Sequence, residues 1–108
     1  MRARPSRRSG PVEEGTVGLS NPRRLSGETP EYPARCKRFG ASGRVELEAI
    51  IDRSGAVRRV KVRSGVDNCP ALAEAARKAV ETWQYAPGTL LGRPVEVRMR
   101  VVVEYRLR

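Results

Sequence analysis

The chain has 108 residues, a formal net charge of +10 from 22 Lys+Arg against 12 Asp+Glu, and no His. That length fits one small domain, and with only 5% aromatic residues the core must be mostly aliphatic. The missing His removes the commonest general base and metal ligand, and the charge favours acidic partners such as nucleic acid, anionic lipid headgroups or acidic protein segments.

Residues 1 to about 30 read as a disordered tail or linker. They hold Pro5, Pro11, Pro22 and Pro30 with scattered Gly, Ser and Arg, and follow neither the period of a strand nor that of a helix. The opening MRARPSRRSG is basic, but no apolar run follows it, so it is not a complete signal peptide. No stretch reaches the roughly 20 apolar residues of a membrane span. A cytosolic protein, or a piece whose targeting segment is missing, is expected. The folded domain is assigned to residues 31–108.

After Pro33, Ala34 to Phe39 makes a short helical turn, with Pro33 suited to its first position. Arg44 to Asp52 alternates, Val45, Leu47, Ala49 and Ile51 on one face against Arg44, Glu46 and Glu48 on the other, as in a half-buried strand. Asp52 to Gly55 is a hairpin turn. Ala56 to Arg63 returns as a second strand, with Val57 out of phase and a bulge expected near Arg58. A helix starts near Cys69-Pro70, and Leu72, Ala75, Ala76, Ala79, Val80 and Trp83 form its apolar stripe. Pro87-Gly88 and Gly92-Arg93-Pro94 punctuate a loop. Val95 to Leu107 alternates again as a long third strand.

Strand, strand, helix, strand predicts an α+β fold. Two layers are expected: a three-stranded antiparallel sheet in the order 2-1-3, one main helix on one face, and a short N-terminal helix. The third strand then lies at an edge.

Several motifs, in order, resemble the C-terminal domain family of the TonB energy transducers. These are Tyr32-Pro33-Ala34-Arg35, Gly43 with Val45, the turn Asp52 to Gly55, and Val62 with Ser64. They continue with Ala75, Ala76 and Val80, then Trp83-Gln84-Tyr85-Ala86-Pro87, and Gly92 with Pro94-Val95. Together they cover about residues 30 to 108. Each motif alone is weak; the set at matching spacing is specific.

The resemblance implies a periplasmic binding domain, normally tethered to the inner membrane. Such domains work with an ExbB–ExbD-type proton-driven motor. They hold the TonB box of TonB-dependent outer-membrane receptors on the last strand and transmit force to the receptor. No catalytic residue, metal or cofactor is implied. The partner-binding edge strand would comprise Val95, Val97, Arg98, Met99, Arg100, Val101, Val102, Val103 and Tyr105, whose unpaired backbone groups accept an added strand. Tyr32 and Pro33 are either a rigid entry to the domain or a lip beside that edge. The same edge could pair with a second copy to give a homodimer.

By composition, Cys36 and Cys69 leave two readings open, a disulfide or two small buried apolar side chains. The oxidising periplasm that the resemblance implies favours the disulfide, which would staple the entry segment to the main helix.

Three rival readings stand beside this one. A nucleic-acid-binding protein would use Arg59, Lys61, Arg63, Arg98 and Arg100, but that face has no aromatic residue for base stacking. An envelope scaffold would bind peptidoglycan or another envelope protein with the same surface. An enzyme is disfavoured, because Glu46, Glu48, Glu96 and Glu104 fall on solvent faces among arginines. Trp83 and Tyr85 read as core rather than as a binding platform.

Overall fold

A computed structural model describes residues 10–107. Its strands are β1 (Val12–Glu13), β2 (Leu19–Ser20), β3 (Arg23–Ser26), β4 (Gly43–Ile51), β5 (Val57–Ser64), β6 (Gln84–Ala86), β7 (Gly88–Leu90), β8 (Arg93–Val95) and β9 (Val97–Tyr105). Its helices are α1 (Ala34–Arg38) and α2 (Ala71–Val80).

The centre is built by alternation. Val45, Leu47, Ala49 and Ile51 of β4 are all fully buried, and β9 sends Val97, Val101, Val103 and Tyr105 to the same side. The α2 stripe of Leu72, Ala76 and Val80 closes over them. The β4–β5 register slips so that Arg58 lies between the pairs Ile50↔Arg59 and Ile51↔Val57. In the connecting turn, Asp52 Oδ1 accepts hydrogen bonds from the Ser54 hydroxyl (2.7 Å) and from the backbone N–H groups of Ser54 (2.9 Å) and Ala56 (3.0 Å). The Ser54 hydroxyl is the main reason the Asp52 carboxyl is held below its ordinary pKa, followed by the Ala56 and Ser54 amides and Arg58, all opposed by partial burial.

The sheet differs from the expected three-stranded antiparallel one. It has four strands in the order β1-β9-β4-β5, and β1 runs parallel to β9. Two small sheets accompany it, β2-β7-β8 and β3-β6. Residues 10–30 therefore do not form the expected tail: three short strands bring them back onto the domain. The part of that expectation covering residues 1–9 lies outside the described residues.

The segment expected as a loop before the last strand is a hairpin. Leu91 (φ 51°) and Gly92 (φ 87°) both take the left-handed conformation that a tight two-residue turn needs, and β7 and β8 pair across it. The last strand is accordingly shorter than expected: Val95 belongs to β8, Glu96 interrupts, and Leu107 lies past the end.

Candidate functional site

β9 is in register with β4 from Val97↔Ile51 to Tyr105↔Gly43, while the Glu96 and Arg98 carbonyls and the Arg100 N–H face the other way, bonded to Val12 and Glu14. Alternation then turns the backbone N–H and C=O of Arg98, Arg100, Val102 and Glu104 to the outer edge, away from β4. Their side chains lie on the face opposite α2: Arg98 is half-buried, and Arg100, Val102 and Glu104 are exposed.

That edge is divided. Along its first half β1 is already seated, with Val12↔Val97 and Glu13↔Arg98 in register. The Val12 N–H donates to the Glu96 carbonyl at 2.8 Å, and the Glu14 N–H to the Arg98 carbonyl at 3.1 Å. The Arg98 guanidinium donates to the Glu13 carboxylate at 2.7 Å. The Arg100 N–H donates to the Glu14 carboxylate at 2.8 Å, so a side chain takes the bond the next backbone carbonyl of a longer strand would take. The chain then turns away at Gly15, where the Thr16 N–H donates to the Glu13 carbonyl. Beyond Arg100 the outward groups of Val102 and Glu104 have no backbone partner among the described residues.

The sequence-assigned site residues thus separate into three groups. Val97, Val101, Val103 and Tyr105 direct their side chains into the core and their backbone groups toward β4, with Met99 half-buried beside them. Arg98, Arg100 and Val102 line the edge and the open face. Val95 belongs to another sheet and leaves the set. Sequence reasoning missed Val12, Glu13 and Glu14. The available signal was that Glu13-Glu14 is the only adjacent pair of carboxylates in the chain.

The arginines of the open face are interleaved with acids. Arg98 lies 3.8 Å and Arg63 also 3.8 Å from the Glu48 carboxylate, so this face is not a continuous cationic field.

Tyr32 stands at the far end of the edge. Its ring meets that of Tyr105 edge-on at 5.1 Å, and its hydroxyl donates to the Ala41 carbonyl at 2.5 Å. The Tyr105 hydroxyl is buried with no hydrogen-bond partner among the described residues. Burial pushes its pKa up to about 12, with smaller contributions from Glu31 and Tyr32. Pro33 caps α1. One turn later Cys36 is bonded to Cys69 at the start of α2, with Cα atoms 5.8 Å apart, and fixes the entry segment to the core.

Residues 28–107 match the family model described as Gram-negative bacterial TonB protein C-terminal. The chain belongs to the TonB C-terminal domain family. Protein TonB of Vibrio cholerae serotype O1 is 28% identical over 78 residues, which is 72% of this chain and 32% of that protein, so the chain spans about a third of the relative's length. The solution NMR structure of the Pseudomonas aeruginosa TonB CTD shares the fold, with a TM-score of 0.64 at 18% identity, covering 89% of this chain and 93% of that one. The β1–β3 segment lies upstream of the family's matched portion.

Proposed function

We propose that this domain is the periplasmic receptor-binding part of a TonB-type energy transducer. It captures the TonB box of an outer-membrane receptor as an added strand on the outer edge of β9. It then passes on force from an ExbB–ExbD-type motor at the inner membrane, to which the whole protein is tethered. Family membership supports the class. The observation that carries the mechanism is β1 itself: a short acidic strand seats on this edge through backbone bonds and Arg98.

The chemistry needs no catalytic group. Backbone pairing supplies affinity, and the alternating side chains supply selectivity. β9 is paired to β4 along all nine of its residues, so a load on the edge is shared across many hydrogen bonds. The Cys36–Cys69 bond keeps α1 and the neighbouring Tyr32 in place beside the end of that strand.

The test is an amide-resolved NMR titration of the oxidised domain with TonB-box peptides from receptors of the same source organism. Shifts concentrated in Val97–Tyr105, with the Trp83 indole unmoved, are expected. No shift with any such peptide, in a domain that stays folded, sinks the receptor role. Pairing of the same edge with a second copy is checked by sedimentation across a concentration series.

A further inference from the structure

Resting on that reading, we propose that Val12–Glu14 is a built-in competitor for the β9 edge. A partner segment wins the edge by first pairing with the outward groups of Val102 and Glu104, which the competitor leaves open, and then replacing it back toward Glu96.

Three observations carry this. First, the occupant uses the bonds that an added strand would use: Val12 N–H to the Glu96 carbonyl and Glu14 N–H to the Arg98 carbonyl. Its carboxylates satisfy Arg98 and the Arg100 N–H. A partner running the same way must take over these donors and acceptors, and an acidic side chain opposite Arg98 replaces Glu13.

Second, the occupant is short and shallow. Only Val12 and Glu13 are in register with β9, and Glu13 and Glu14 are exposed. Glu14 ends the ladder at Arg100, so a longer partner gains pairing that the occupant lacks. That difference gives displacement a direction.

Third, the occupant stays tethered when displaced. β2 is paired to β7, and β3 to β6, so Glu14–Gly18 is all that separates β1 from anchored chain. The short tether keeps its local concentration high and raises the apparent dissociation constant of every external strand.

The test uses the full oxidised chain and two variants. Val12→Pro with Glu14→Ala removes one backbone donor and the acceptor at Arg100; Glu13→Lys with Glu14→Lys leaves the backbone intact. Amide exchange is read at Arg100 and Val102. Affinity is read for two probes: receptor TonB-box peptides, and a synthetic peptide of residues 10–16.

In the wild type, the Arg100 amide is expected to exchange at least about tenfold more slowly than that of Val102. Both variants abolish that difference and bind the probes at least about fivefold more tightly. Equal exchange at Arg100 and Val102 in the wild type overturns the proposal. So does loss of protection with no gain in affinity for either probe. Tighter binding of the residue 10–16 peptide alone, with no receptor peptide bound, leaves the competitor standing and removes the receptor reading.

Discussion

The segment from Gly10 to Glu28 is held in opposite ways at its two ends. At the back, the Trp83 indole N–H donates to the Glu28 carbonyl at 2.8 Å, and the Arg24 guanidinium lies 3.9 Å over the Trp83 ring. Gly27 is pressed so closely there that an added Cβ would stand 2.2 Å from Trp83 Cδ1, at a φ of 137° that side chains rarely adopt. At the front, β1 contributes a two-residue ladder and exposed carboxylates on an open edge. The back is anchored by aromatic burial and close packing. The front rests on surface pairing, whose ion pairs are worth little in water. A segment built this way can release one end without losing its place on the domain.

The sharpest way to break the comparison is Gly27→Val. The clash with Trp83 and the unfavourable φ together are expected to cost roughly 4 kcal/mol, read as a lower urea midpoint and a shifted Trp83 indole resonance. An unchanged midpoint would mean that the back is no better anchored than the front.

Next in size is the staple that neither end supplies. Cys36→Ser with Cys69→Ser is expected to cost about 3 kcal/mol, because the bond closes a long loop in the unfolded chain. Reducing agent should lower the melting temperature of the wild type and leave that of the variant alone.

A smaller effect comes at the end of β9. Tyr105 titrates near 10 when unfolded and near 12 when folded, so the stability from its buried neutral form is complete below pH 10 and is lost as the pH rises from 10 to 12. The urea midpoint should fall across that window in the wild type. In Tyr105→Phe this contribution to the fall should disappear. At neutral pH the same variant should be neutral or slightly stabilising, since it removes an unpartnered buried hydroxyl.

The smallest effect is expected at the front. Glu13→Lys with Glu14→Lys should lower stability by only about 1.5 kcal/mol, the equivalent of the roughly tenfold protection it removes at Arg100, and the Trp83 indole resonance should stay in place. A large loss of stability would show that β1 is part of the structural frame rather than a removable strand.

The central elements were legible because their signals are local. Four alternating apolar residues in β4, the Asp52–Gly55 turn and the α2 stripe each state their structure within a few positions. The same holds for most of β9, and for the motifs that carry the family resemblance. The strands of two to four residues were not legible. No periodicity can show in β1, β2, β7 or β8, and their pairing partners lie far away in the chain. Pro94 reads as loop punctuation in sequence, yet it sits in a strand whose hairpin depends on left-handed φ at Leu91, a residue type that carries no such signal.

By itself, then, the sequence determined the family, the β4–β5 hairpin, the apolar face of α2 and the amphipathic last strand, because apolar spacing and turn chemistry act between near neighbours. Only the tertiary structure decided which part of the last strand is free. That depends on Glu13 meeting Arg98 across a separation of 85 residues. Such a contact forms only after the domain has brought both backbones to one edge, and two residues leave no pattern from which to foresee it.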